Sequence, residues 1–206
     1  MSGKRGRALI AALGVMATAS VLAWAPAGAS SSDCANGGSG GTSASSACSG
    51  GYVNPFKGES WTSGRIDMGV DYTANHREPV VAIGRAKIMG SDRHAGWPGG
   101  HYLWYKLLRG DHRGDFIYVA ESLRRMKRAG TRVRKGQRIA LALRGRTGTE
   151  WGWASRNGQP RAAPCYTEGM ETHSGKEMAR FIQKLGGDVI RKLSADGPDS
   201  PTGKRC

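Results

Sequence analysis

The chain has 206 residues, with 31 Lys and Arg against 16 Asp and Glu, giving a net charge of +15 at pH 7. That length suits one domain with short tails, and an excess of that size favours polyanionic partners without deciding the fold. Four cysteines lacking C-x-x-C spacing argue against a zinc-binding cysteine module, and no stretch after residue 29 is apolar enough to span a bilayer.

In chain order, residues 1–29 read as a secretory leader. Lys4, Arg5 and Arg7 form a basic start, Ala8 to Trp24 an apolar run, and Ala27-Gly28-Ala29 a cleavage signal before Ser30. A membrane anchor is the competing reading, but the run is short and lacks a basic stop-transfer flank. Cleavage removes three positive charges and leaves +12. The expected location is extracellular, in association with the cell wall, where the polyanions on offer are wall glycopolymers and anionic head groups; nucleic acid is not among the expected partners. In that oxidising setting the cysteines are expected to form disulfides. Four of them allow three pairings, of which Cys34–Cys48 and Cys165–Cys206 are the ones expected here.

Residues 30–51 are almost all Ser, Gly, Ala and Thr, a flexible leader that cannot bury a core. Order is expected from Tyr52, and residues 52–165 read as a β domain. Strands are predicted at Val80 to Met89, Tyr102 to Leu108, Asp115 to Glu121, Thr131 to Arg134 and Arg138 to Leu143, separated by glycine turns such as Gly96-Trp97-Pro98-Gly99-Gly100. Short strands at this spacing indicate a sandwich or small barrel. Residues 166–194 change period: Ser174 with Glu177 forms a capping box, and Met178, Phe181, Ile182 and Leu185 recur at helical spacing. Gly186-Gly187 ends that helix, Val189, Ile190 and Leu193 predict a further turn or two, and residues 195–206 form a tail.

Two carboxylates, Asp67 and Asp71, flank Gly69 just ahead of the Pro79-Val80-Val81-Ala82 strand. Taken with Ile117-Tyr118-Val119-Ala120, Val133-x-x-Gly136-Gln137-x-Ile139 and Gly148-Thr149-Glu150-Trp151-Gly152-Trp153, this ordered set resembles the lysostaphin-type (LytM-like) peptidoglycan endopeptidase domain across roughly residues 61 to 154. The resemblance implies a mainly β fold of two sheets, here with a C-terminal helix, and a zinc site in a groove. The family pattern is His-x-Gly-x-Asp, then Tyr-x-His-Leu, then Gly-x-His-x-His. Asp67 replaces the first histidine and Asp71 keeps the aspartate. Glu121 or Ser122 stands at the second segment, and the paired histidines fall on Glu150 and Gly152. Asp71 is thus the one family zinc ligand retained.

Asp67, Asp71, Glu121 and Glu150 form an all-oxygen candidate cluster. Such a set suits Ca²⁺, Mg²⁺ or Mn²⁺ better than Zn²⁺, which takes imidazole readily. Without a cation, crowding would raise at least one carboxylate pKa unless arginines such as Arg65 compensate. A raised acid beside an ionised carboxylate is also the pattern of glycoside hydrolysis. A plainer reading has Asp67 and Asp71 ordering a loop through arginines. The five histidines are scattered, with no ligand-type spacing. Trp97, Tyr102, Trp151 and Trp153, with Tyr105, are candidates either for saccharide binding or for the core. The basic run from Arg124 to Arg138 is either a solvated face or a surface for anionic polymer. Together these features lead to a degenerate domain that binds peptidoglycan or anionic wall polymer without zinc peptidase activity. A variant hydrolase built on the carboxylates is the alternative.

Overall fold

The computed structural model describes residues 51–58, 60–145 and 148–189. The expected secretory leader and tail lie outside those residues. So do the Ser/Gly-rich segment except Gly51, the further turn at Ile190 and Leu193, and Cys34, Cys48 and Cys206 of the expected disulfides.

Among the described residues, ten strands and one helix follow in order: β1 (Trp61–Ile66), β2 (Val70–Ala74), β3 (Glu78–Val81), β4 (Ala86–Asp92), β5 (His101–Leu107), β6 (Phe116–Glu121), β7 (Leu123–Arg124), β8 (Arg132–Val133), β9 (Arg138–Ala142), β10 (Thr149–Ala154) and α1 (His173–Lys184). The strands form a seven-stranded sheet, β1-β2-β10-β6-β5-β4-β8, and a three-stranded sheet, β3-β9-β7. All the pairings are antiparallel. The chain is therefore mainly β, in two sheets with a C-terminal helix.

Where one strand is predicted from Val80 to Met89, two are found. The chain leaves the small sheet after Val81 and enters the large one at Ala86. The break carries Gly84, which bridges to Tyr52; a Cβ there would sit 2.8 Å from the Tyr52 ring. A β-branched run cannot reveal such a switch, because its composition is the same on either side.

Alternation along the central strands divides the residues between two faces. Ile117 and Val119 of β6, Leu103 and Tyr105 of β5, and Trp151 and Trp153 of β10 enter the main core, together with Val80, Ile139 and Ala142 of the small sheet. Tyr118, Ala120, Tyr102 and Ala154 form a second cluster, with Trp97 and Trp104 packed against it. Trp151 and Trp153 are 0% and 2% exposed, so both of these candidate saccharide platforms are core side chains. Tyr105, 0% exposed, is core as well.

Helix α1 buries Met178, Ala179, Phe181 and Ile182 in the main core. Its N-cap is Thr172, two residues ahead of the predicted Ser174: the Thr172 hydroxyl accepts from Gly175 N at 3.0 Å. Glu177 pairs with His173 at 3.3 Å, one helical turn away, and takes no part in a capping box. Thr172 does a second job. Its hydroxyl donates to the carbonyl of Asp67 at 2.6 Å and its N–H donates to the same oxygen at 3.1 Å.

Gly175 lets this end of the helix approach so closely, because a Cβ there would overlap the Asp67 carbonyl. Gly175→Ala should therefore cost about 1–3 kcal/mol through overpacking and shift the amide resonances of Asp67 and Gly69. Thr172→Ala should cost about 1 kcal/mol as a lost cap. Thermal denaturation with two-dimensional NMR checks both, and an unshifted Gly69 amide in Gly175→Ala would contradict the contact.

Candidate functional site

The large sheet carries the candidate residues on the face away from the main core. Glu150 of β10 lies opposite Asp71 of β2 and, on its other side, opposite Ala120 of β6; Ala120 in turn faces Tyr102 of β5. Asp67 comes from the β1–β2 turn, closed by Asp67 N donating to Gly69 O at 3.0 Å and held by α1. Gly69 has no room for a side chain, because a Cβ there would overlap the Trp151 backbone. The turn thus lies directly on β10. Asp67, Asp71 and Glu150 each offer an oxygen within 4.8 Å of the others.

Glu121, the fourth candidate, arrives differently. Strict alternation would send its side chain to the core beside Val119. Its backbone instead adopts a left-handed φ of 81°, unusual for a residue with a Cβ and costly by about 1–3 kcal/mol. The residue lines a pocket of about 270 Å³ with Arg65, Trp97, Glu150, Tyr166 and Glu168. It is 7% exposed, and its Oε2 is buried without a hydrogen-bond partner.

One cation spans the cluster. Arg65 Nε lies 3.0 Å from Asp67 Oδ2 and 3.1 Å from Asp71 Oδ2, and its Nη2 lies 2.7 Å from Glu168 Oε1. The Tyr166 hydroxyl sits 3.1 Å from both Asp67 Oδ2 and Glu168 Oε2. Burial opposes the Arg65 charge, but Glu168, Asp67 and Asp71 outweigh it and hold the guanidinium more firmly protonated than usual. Even so, the negative charge is not fully relieved. Burial, then the Asp67 carboxylate, raises Asp71 to about 6. Burial, then Asp71 and Asp67, raises Glu121 to about 8. Burial and Asp67 push Glu150 well above the ordinary carboxylate range, although the Tyr118 hydroxyl hydrogen-bonds to it.

Tyr118 also fills the place of a missing side chain. It pairs directly with Gly152, and its ring lies where a Cβ on Gly152 would be. In the family pattern that position carries a histidine; here the volume belongs to a tyrosine from the neighbouring strand.

These residues do not fit the zinc that the resemblance implies. Among the described residues the cluster is three carboxylates without an imidazole, and a guanidinium already engages the Oδ2 atoms of two of them. The donors are of the type hard divalent cations use, but such ions collect six or more oxygens, and Arg65 competes for two of these.

The sequence reading missed Tyr166 and Glu168, and gave Tyr118 no role at the site. Tyr118 had a readable signal, since it shares a strand face with Ala120, opposite Glu150. Tyr166 and Glu168 lie about a hundred residues from the Asp67 turn, in a loop with no periodic pattern to mark them. Of the aromatic candidates, Trp97 and Tyr102 are on the site face.

No family model and no curated protein matches the chain. Among solved structures, it is similar to lysostaphin determined in solution (16% identity, TM-score 0.47, 75% of this chain and 65% of that one). It is also similar to the antimicrobial peptidase lysostaphin of Staphylococcus simulans (16%, 0.46, 75% and 62%). A third similar structure is a putative M23 peptidase of Pseudomonas aeruginosa (17%, 0.36, 50% and 44%). The chain spans less than two thirds of the lysostaphin chains in the first two of these matches.

A raised Glu121 means that the folded chain holds a proton the unfolded chain releases between pH 4.5 and about 8. Stability must then fall as pH rises through that window. Glu121→Gln should flatten the fall and stabilise the chain at pH 8 by on the order of 2 kcal/mol, read from melting temperatures at pH 5 and pH 8. A pH profile that Glu121→Gln leaves unchanged would rule out this assignment. A second expectation concerns Gly152→His, which restores the family residue. It should cost about 1–3 kcal/mol through collision with Tyr118, and a zinc titration followed by calorimetry should remain flat.

Proposed function

We propose that this chain is an exported domain of the bacterial cell envelope that binds peptidoglycan or an anionic wall polymer and has lost zinc peptidase activity. The observation that carries the reading is Arg65 bridging Asp67 and Asp71 at 3.0 and 3.1 Å, at positions where the resemblance would place metal ligands. A guanidinium balances charge there, but it cannot polarise a bound water as a metal ion does. What remains is a groove with aromatic and carboxylate walls.

Charge supports an envelope location. Beyond the overall excess, a cavity of about 430 Å³ is lined by Arg85, Lys106, Arg109, Arg113 and Arg132 and by no carboxylate. Clustered guanidinium groups of this kind suit phosphate-bearing polymers. The cavity lies apart from most of the basic run read from the sequence; Arg132 alone belongs to both. Among the described residues, no helix is long and apolar enough to cross a membrane.

Glu121 favours a second reading, a hydrolase. A buried, unpaired carboxylic acid raised to about 8, near the Asp71 carboxylate, has the character of a proton donor beside an ionised partner.

Incubation with purified sacculi separates the two readings. Bound protein and released soluble fragments are measured together, with and without divalent ions and across a salt series. The binding reading expects retention that falls with salt and no release under any ion. Release that vanishes in both Asp71→Ala and Glu121→Gln would replace it with the hydrolase, and absence of retention at low salt would overturn it.

A further inference from the structure

A second cleft, of about 430 Å³, opens on the site face of the large sheet between the 92–100 loop and the 155–160 turn. Its floor is the outward face of β5, Tyr102 and Trp104, and Trp97 closes one side. Trp97 stacks on Tyr102 with ring centres 5.7 Å apart, and the Trp104 ring centre lies 5.9 Å from that of Tyr102. The rings are held in place. Trp104 rests against the backbones of Gly90 and Gly158, neither of which has room for a Cβ. The Tyr102 hydroxyl donates to Gly158 O at 2.6 Å, which ties the turn to the sheet. The loop that carries Trp97 closes on itself through Gly100 N donating to Trp97 O at 2.7 Å. Exposed Asp92, Asn157 and Gln159 supply carboxylate and amide groups at the rim.

Ala95 and Trp97 line both this cleft and the carboxylate pocket. The two cavities therefore share a wall, and a chain-like ligand crossing Trp97 would lie in both. We propose that the cleft is a saccharide subsite, which receives the glycan strand of the wall while the next unit lies over the carboxylate pocket. This proposal rests on the wall-binding reading and names its ligand class.

Three features select a glycan. The half-buried indole faces of Trp97 and Trp104, backed by the buried Tyr102 ring and flanked by amides, match the apolar faces and hydroxyl edges of a pyranose. The lining has one carboxylate, Asp92, and no Lys or Arg, so an anionic polymer would be repelled here and drawn instead to the basic cavity. The floor also offers ring faces in place of free backbone groups, because β5 is paired by β4 on one edge and β6 on the other. A peptide therefore could not dock on it by strand addition.

The test uses the full chain and a linear tetramer of N-acetylglucosamine, followed by calorimetry and indole fluorescence, with a tri-alanine peptide as a second ligand and sacculus retention in parallel. The tetramer is expected to bind, and Trp97→Ala and Gln159→Ala, both checked for an unchanged melting temperature, are each expected to weaken it by about tenfold or to abolish it. Trp97→Ala is the informative variant, since its loop lies outside the main core. Failure of the tetramer to bind, with sacculi still retained, would overturn the saccharide subsite and leave the wall-binding reading standing. Failure of both would overturn both. Tetramer binding that neither variant alters, or binding of the peptide alone, would overturn the assignment of this cleft.

Discussion

The site depends on one short junction, where the N-terminus of α1 meets the carbonyl of Asp67. Thr172 supplies two donors to that oxygen and caps its own helix with the same hydroxyl. Gly175 removes the side chain that would hold the two apart. The helix is in turn fixed by Met178, Phe181 and Ile182 in the main core. Position therefore passes from the core through the helix to the Asp67 turn and on to the carboxylates. Because Asp67 has its backbone held by α1, its carboxylate faces Arg65, Asp71 and Glu150 with little freedom to retreat from their charge.

That rigidity explains how like charges are tolerated at such density. Buried carboxylates normally separate or find cations. Here Arg65 and Tyr166 satisfy Asp67, Arg65 also reaches Asp71, and Tyr118 meets Glu150. Glu121 is left with an unpaired oxygen and a left-handed backbone. The arrangement trades stability for a fixed, charged pocket, which is typical of sites that bind or react.

Much of the fold was legible in the sequence, because alternation and glycine turns are local signals. β5, β6 and β9 lie close to where their patterns place them, and the C-terminal period change does mark a helix. The misses share a cause, which is that tertiary contacts decide between options that local pattern leaves equal. Trp151 and Trp153 were rightly placed on one face, but only the small sheet and α1 make that face the core. Thr172 outcompetes Ser174 as the cap because the Asp67 carbonyl lies within its reach. Val80 to Met89 is all strand-forming, yet the chain changes sheets within it. At the site, the resemblance groups all four carboxylates, Asp67 and Asp71 around Gly69 and Glu121 and Glu150 at later motif positions, and Asp67, Asp71 and Glu150 do meet across β2, β10 and the turn between β1 and β2. Glu121 reaches the pocket by a backbone turn that no residue pattern encodes.

Arg65 has one more consequence. Its positive charge is covalently attached to the polypeptide and travels with it. A pocket whose charge balance came from a dissolved ion would follow the ion supply of its surroundings and could be emptied by a chelator. This one carries part of its counter-charge on its own chain from the moment it folds.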